Sequence, residues 1–131
     1  MQEKCIKEAS ARDRGPDDVS LGGSECVSDA DALDKLYMEA ALAQARRAAE
    51  AGEVPIGAAV VCQGEIIAEA CNHREADHDP SAHAEFSAMV QASRELERWR
   101  LSDCTVYVTL EPCIMCAGLM HQARIGRCVY G

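Results

Sequence analysis

The sequence of 131 residues lacks a long apolar run, an export signal and an excess of basic residues. No uninterrupted apolar stretch approaches the ~20 residues that cross a bilayer, which excludes a membrane-spanning segment. The first thirty residues carry scattered charges and no apolar signal core, so we expect the protein in the cytoplasm. Lysine and arginine number 13 against 22 aspartate and glutamate, which excludes indiscriminate binding to nucleic-acid phosphates. Any contact with nucleic acid must come from a local basic patch.

The chain is long enough for one domain with a hydrophobic core and too short for two. Apolar residues make up 48% of it and charged residues 27%, which is typical of a globular protein. Eight cysteines in a secreted protein would suggest a disulfide framework. Without an export signal, they indicate metal ligands together with buried thiols, and Cys62, Cys71, Cys104 and Cys128 are expected as small core residues.

Composition divides the chain near residue 33. Residues 1–32 are acidic, contain glycine and serine, and show no sustained period, so they predict a disordered extension. From Leu33 the pattern predicts a folded domain whose elements are a helix over 33–52, strands over 56–62 and 65–71, a helix over 81–96, a strand over 104–110, a helix over 113–123 and a strand over 127–130. This order predicts an α/β fold with helices on both faces of a mixed sheet. The last strand would leave an unpaired edge.

One group of residues indicates a metal site. His83 stands at the start of the second predicted helix, and Cys113 and Cys116 open the third. Two thiolates at positions i and i+3 of a helix share a face, and the helix dipole favours their ionised form. One imidazole and two thiolates suit zinc, and three protein ligands are typical of a catalytic site that leaves a fourth position to water.

Other interpretations of these residues remain open. His121 or His78 could supply a fourth ligand and close a structural zinc site. The two cysteines could instead form a redox pair, although that would leave His83 and Glu85 without a role. Glu85 lies two residues after His83 and can point into the same cavity, where a carboxylate could transfer protons. Favourable interaction with the helix dipole would also explain an acid at this position.

The segment H-x-E followed by P-C-x-x-C is identified as the zinc nucleobase-deaminase signature. Together with residues 53–58, 72–75, 79–85 and 107–118, it resembles the tRNA-specific adenosine deaminase family over about residues 33–131. The resemblance implies a cytidine deaminase-like fold and hydrolytic deamination of the wobble adenosine of a tRNA anticodon to inosine. It implies one zinc ion on His83, Cys113 and Cys116, and a proton shuttle at Glu85.

The same resemblance assigns substrate contacts and a partner. Asn72 would hydrogen-bond the target nucleoside, the segment from Val54 to Ala58 would wall the base, and the backbone amides of Ala84 and Cys113 would assist. Contacts with the anticodon stem-loop are expected from His73, Arg98 and Arg124, within a basic subset that also includes Arg94, Arg100 and Arg127. A homodimer packed through the helices that bear the metal ligands is also implied.

The sequence departs from the family pattern at both ends. Residues 1–32 have no counterpart, and the family continues past Gly131 through a further strand and helices, so we expect a C-terminally truncated domain. Two other functions remain open: a deaminase of free guanine, cytosine or nucleosides, which would share the zinc site, and a catalytically silent zinc-bearing binding subunit.

Overall fold

The computed structural model describes residues 2–4 and 28–131. The described elements are strand β1 (Gln2–Lys4), helix α1 (Asp29–Glu50), strands β2 (Gly57–Cys62) and β3 (Glu65–Cys71), the short helix α2 (Arg74–Asp77), helix α3 (Ala84–Glu95), strand β4 (Cys104–Val108), helix α4 (Ile114–Gln122) and strand β5 (Arg127–Tyr130). None of the described helices combines the length and the apolar character that crossing a bilayer requires.

Helix α1 begins at Asp29, four residues before the predicted start. Ser28 is its N-cap, and the hydroxyl oxygen of Ser28 accepts a hydrogen bond from the backbone N–H of Asp31 at 3.3 Å. Asp29 and Asp31 lie in the first turn, where the helix dipole stabilises negative charge. The prediction of a disordered extension is therefore wrong for residues 29–32, because capping residues resemble a polar linker in composition.

Strands β2 and β3 form the predicted hairpin. Gln63 and Gly64 connect them with φ angles of 51° and 81°, the left-handed conformation that a two-residue hairpin turn requires. At the other end of β2, Gly57 packs directly against the backbone of α1, and a side chain there would overlap the carbonyl oxygen of Ala41. The sequence places glycine where helix and strand touch most closely.

The five strands form one mixed sheet in the order β1-β5-β4-β2-β3. Strands β4 and β5 are parallel, and the other neighbouring pairs are antiparallel. One face of the sheet packs against α1 through a core cluster that contains Tyr37, Met38, Ala41, Val61, Tyr107 and Val129. The opposite face packs against α3 and α4 through a larger cluster that includes Val60, Ala88, Met89, Val106 and Met120. The predicted three-layer α/β/α fold is confirmed.

The outer edge of β5 is paired, contrary to the expectation of an open edge. Gln2 to Lys4 run antiparallel to it, with Gln2 opposite Tyr130. An N-terminal strand could not be predicted from three polar residues without an apolar alternation. The rest of the predicted extension, residues 5–27 with Cys5 and Cys26, lies outside the described residues.

A buried ion pair fastens α1 to the sheet. Asp34 on α1 accepts hydrogen bonds from the Tyr107 hydroxyl at 2.7 Å and from the Arg127 guanidinium at 2.8 Å. The hydrogen bond from Arg127 holds the pKa of Asp34 below its usual value, while burial raises the pKa of Tyr107. Arg127, which the sequence grouped with basic residues for RNA, is thus part of a structural contact.

Candidate active site

Two helices begin at the same place and bring three donor atoms together. His83 is the N-cap residue of α3 and Cys113 is the N-cap residue of α4, both with extended backbones. Neither side chain caps its own helix. Instead, Nδ1 of His83 lies 3.7 Å from Sγ of Cys113 and 3.6 Å from Sγ of Cys116.

The three donors have the spacing of a tetrahedral zinc site. With zinc bonded to sulfur at about 2.3 Å and to nitrogen at about 2.0 Å, a tetrahedral angle separates N and S by roughly 3.6 Å. The donor atoms of His83, Cys113 and Cys116 all lie within 4.8 Å of one another. In the part of the chain that the structure describes, neither His78 nor His121 joins this group. The geometry therefore fits zinc held by three protein ligands, and it does not support the closed four-ligand alternative.

The surroundings of Cys116 also fit a cation. Its side chain is buried, and burial, followed by the negative charge of Glu85, raises the pKa of the thiol far above its usual value. A buried sulfur beside a carboxylate is a poor thiolate unless a positive charge offsets both effects. Zinc would supply that charge, since a coordinating thiol is deprotonated outright.

Glu85, the second residue of α3, points into the same space. The residue is only 4% exposed, and its Oε2 atom is buried without a hydrogen-bond partner. An unpartnered buried carboxylate oxygen costs stability, which indicates that a ligand or water normally contacts it. The position agrees with the predicted proton-transfer role and shows why dipole interaction alone does not account for this acid.

A cavity of about 120 Å³ opens beside His83 and Ala84. It is lined by Val54, Ile56, Asn72, Arg74, His83 and Ala84. Asn72 is buried at the end of β3, and its side-chain amide donates to the carbonyl oxygen of Val54 at 3.3 Å. Three predicted substrate contacts, at Val54, Asn72 and Ala84, therefore share one cavity.

Ala58 is the exception among the predicted substrate contacts. It is fully buried in the core under α3 and does not line the cavity. Because successive residues of a strand face opposite sides, a whole segment cannot wall one pocket. Ile56, just before β2, and Arg74, after Asn72, line the cavity instead. Both lay inside segments that the sequence had singled out, but their orientation was not predicted.

The loop that follows Asn72 is held by an acid inside the segment 53–58, to which the sequence analysis assigned no role. Glu53 is buried, and its carboxylate accepts hydrogen bonds from the backbone N–H groups of Ala76 at 2.8 Å and Glu75 at 3.2 Å. These bonds provide acceptors for two backbone N–H groups that have no partner inside the first turn of α2. Spacing gives no signal for this contact, because a buried Glu and an exposed one look alike in a polar segment.

The predicted RNA contacts are scattered over the surface. His73, next to Asn72, lies 2.7 Å from Asp77 and borders a depression of about 490 Å³ that Arg94 also lines. Arg124 is exposed just after α4. Arg98 is paired with Asp103 at 2.7 Å, beside Cys62 at the far ends of β2 and β4. That location, at the opposite end of the strands from Cys113, argues against an RNA contact by Arg98. Arg124 lies at the same end, because its neighbours Ala123 and Gly126 are hydrogen-bonded to Leu101 and Cys104, so the argument applies to it as well.

The fold and the donor set define a zinc-dependent deaminase domain. Residues 31–131 match the family described as the cytidine and deoxycytidylate deaminase zinc-binding region, and the chain belongs to this family. Among relatives, it is 50% identical over 98 residues to the tRNA-specific adenosine deaminase of Bacillus subtilis, covering 75% of this chain and 61% of that protein. It is 48% identical over 99 residues to the chloroplastic tRNA(adenine(34)) deaminase of Arabidopsis thaliana, covering 76% of this chain and 8% of that protein.

Solved structures point to the same group. A deaminase studied for A-to-I editing at the wobble position of transfer RNA matches with a TM-score of 0.72 and 45% identity, covering 74% of this chain and 70% of that one. The guanine deaminase of Bacillus subtilis matches with a TM-score of 0.72 and 37% identity, covering 74% and 62%. The chain spans about three fifths of the length of several curated relatives, 61% of the first and 62% of that from Aquifex aeolicus.

Proposed function

We propose that this site catalyses the hydrolytic deamination of adenosine to inosine at the wobble position of a tRNA anticodon. The observation that carries the proposal is the orphaned carboxylate of Glu85 beside a three-donor zinc geometry. A proton-transfer group next to an incomplete metal site is what a hydrolytic reaction needs. The choice of substrate is supported by the higher identity to tRNA deaminases, 50% and 45%, than to guanine deaminase, 37%.

His83, Cys113 and Cys116 would hold one zinc ion per chain. Zinc in such a site lowers the pKa of water to about 7 and so supplies a nucleophile at neutral pH. Oε2 of Glu85 takes a proton from the attacking water and returns it to the departing amino nitrogen. Water and adenosine are thereby converted to inosine and ammonia.

The cavity wall would select and orient the base. Its volume of about 120 Å³ is well below the ~300 Å³ of pockets that hold larger ligands, so a single base suits it better than a whole nucleotide. Asn72 presents an amide from a buried and hydrogen-bonded position, which restricts its rotamer. Val54 and Ile56 supply apolar contact to the ring. The backbone of the anticodon loop would stay outside, near His73.

The substrate assignment can be tested with purified, zinc-loaded protein. An anticodon stem-loop with a wobble adenosine is incubated with the protein in parallel with free adenosine, guanine, cytosine and cytidine. We expect inosine in the RNA and no turnover of the free compounds. Turnover of guanine alone would refute the proposal and favour guanine deamination. Guanine deamination is the second candidate because the guanine deaminase structure matches with the same TM-score, 0.72, as the tRNA deaminase structure.

The role of Glu85 can be separated from metal binding. We expect Glu85→Gln to lower the rate by at least about 100-fold, since general acid–base catalysis contributes that much or more, while the zinc content stays unchanged. Glu95→Gln, on an exposed site at the other end of α3, is the matched control. A zinc-bound wild type that turns over none of the five substrates would favour a silent binding subunit.

We also propose a homodimer and a cytoplasmic location. Ile114, the first residue of α4, is 93% exposed, and Leu110 just before this helix is exposed as well, so the surface around the start of α4 is apolar. Ile114→Asp should shift the molar mass in light scattering from dimer to monomer, while Leu36→Asp on α1 should not. A wild type of monomer mass would refute the dimer.

The state of the cysteines supports the cytoplasmic location. The described cysteines are all free thiols, which is typical of a reducing compartment.

A further inference from the structure

Two cysteines outside the active site face each other across neighbouring strands. Cys62 ends β2 and Cys104 begins β4, and the two are direct partners in the antiparallel register. Both are free and nearly buried, with 7% and 1% exposure. Their sulfur atoms lie within 4.8 Å of each other, and none of the residues assigned to the active site is among their contacts.

The register places this pair where a crosslink between strands is geometrically accessible. The N–H of Thr109 donates to the carbonyl oxygen of Gly57 at 3.1 Å, so hydrogen-bonded pairs recur at every second residue from that point. Cys62 and Cys104, five residues along, form a non-hydrogen-bonded pair. Such pairs have Cα atoms about 4.5 Å apart, inside the range that disulfides span.

The backbone of Cys104 confirms this orientation. Its N–H donates to the carbonyl oxygen of Leu101 at 3.0 Å, and its own carbonyl accepts from the N–H of Gly126 at 3.2 Å. Both bonds lead away from β2, so the side chains of the two cysteines occupy the close approach between the strands.

Charged groups cover the pair on the solvent side. Asp103 lies 3.5 Å from Sγ of Cys62 and 3.7 Å from Sγ of Cys104, and it accepts from both thiols. One nitrogen of Arg98 contacts both oxygens of Asp103, at 2.7 and 2.9 Å, and lies 3.8 Å from Sγ of Cys62. The guanidinium opposes binding of a metal cation at the same place. Cys62 is the more exposed of the two residues, at 7% against 1%, so it is the sulfur that peroxide reaches first.

We propose that Cys62 and Cys104 are a dithiol that hydrogen peroxide converts to a disulfide between β2 and β4. The Cys62 sulfur attacks the O–O bond of peroxide and becomes a sulfenic acid, and the displaced hydroxide takes a proton to give water. The Cys104 sulfur then attacks the Cys62 sulfur, the S–S bond forms, and a second water leaves. Two thiols are oxidised and one peroxide is reduced to two waters. This inference does not depend on the deaminase activity.

The test uses the whole chain with zinc in the active site, so that Cys113 and Cys116 are protected. After exposure to peroxide and alkylation of the remaining thiols, tryptic peptides are mapped by mass spectrometry. We expect a crosslink between the peptides that carry Cys62 and Cys104, with a mass loss of about 2 Da that dithiothreitol reverses. Cys71 shares a tryptic peptide with Cys62, so Cys71→Ser serves as the matched control and should keep the crosslink.

Three variants and one control variant extend the test. Cys62→Ser and Cys104→Ser should each abolish the crosslink. Arg98→Gln should slow its formation several-fold because the Asp103 carboxylate beside both sulfurs loses its arginine partner, whereas Arg100→Gln, at a side chain that stacks on Trp99 instead, should not. Oxidation of wild type without a Cys62 to Cys104 link would overturn the proposal. A second zinc per chain that disappears in Cys62→Ser would overturn it as well, because the sulfurs would then be metal ligands.

Discussion

Replacing Asp34 by Asn should weaken the attachment of α1 to the sheet. Asp34 is 5% exposed and receives hydrogen bonds from Tyr107 and Arg127. Removing one partner of a buried ion pair costs about 3–5 kcal/mol. The Arg127 side chain is 27% exposed and keeps some water in the variant, so we expect the low end, about 3 kcal/mol. Tyr107→Phe, which removes one hydrogen bond to a charged acceptor, should cost about 1.5–2 kcal/mol.

The effect should depend on pH with a defined sign. The pKa of Asp34 is lowered in the folded state, chiefly by the hydrogen bond from Arg127. A depressed pKa contributes stability above the unfolded-state value of about 3.9, and that contribution disappears as the pH falls through the folded-state pKa. The difference between wild type and Asp34→Asn should therefore be constant above about pH 5 and shrink below about pH 4.

Urea unfolding followed by circular dichroism at several pH values measures this difference. Zinc release in acid affects both proteins equally and cancels in the comparison. Asp29→Asn, which removes an exposed acid from the first turn of the same helix, is the control and should cost no more than about 1 kcal/mol. A difference between wild type and Asp34→Asn that stays constant down to about pH 3 would refute the reasoning, because the lost carboxylate would not be the cause.

Three further predictions concern the loop, the helix–strand contact and the metal. Glu53→Ala leaves two backbone N–H groups without acceptors, so we expect a loss of about 1–3 kcal/mol in unfolding free energy and a raised KM; an unchanged KM would show that the loop does not position Asn72. Gly57→Ala forces a methyl group into the backbone of α1 and should cost about 3 kcal/mol by urea unfolding. Chelation of zinc should lower the melting temperature, and a metal-free protein that melts at the same temperature as the loaded one would contradict the assignment of the site.

Local pattern was enough to predict most of the fold. Apolar periods and turn residues located the hairpin, the helices and the strands, because these signals act over a few residues and need no knowledge of the partner. The start of α1 and the strand of residues 2–4 were missed because neither shows an apolar period of its own. A cap and a short edge strand carry polar residues, so their structure depends on contacts rather than on their own period.

The convergence of His83, Cys113 and Cys116 could be predicted because thiol and imidazole chemistry is specific and the spacing of these residues suits two helix starts. The cavity was predicted only in part: Asn72 and Val54 line it, whereas Ala58 faces the core. The pairings of Arg127 with Asp34 and of Arg98 with Asp103 were not predicted. An arginine that forms an ion pair with an acid cannot be distinguished by its local sequence from one that contacts RNA. Side-chain direction and long-range partnership are properties of the packed chain.

The unusual starts of α3 and α4 have a consequence for how the domain responds to loss of its ion. His83 and Cys113 occupy the N-cap positions of the two helices, but neither side chain accepts a hydrogen bond from the first backbone N–H groups. The order of both helix starts therefore depends on whatever links these two side chains. A metal ion bound by both side chains would hold the starts of the two helices together. Without it, amide hydrogens at both helix starts should exchange faster together, and the carboxylate of Glu85, two residues after His83, should lose its fixed orientation before the rest of the domain unfolds.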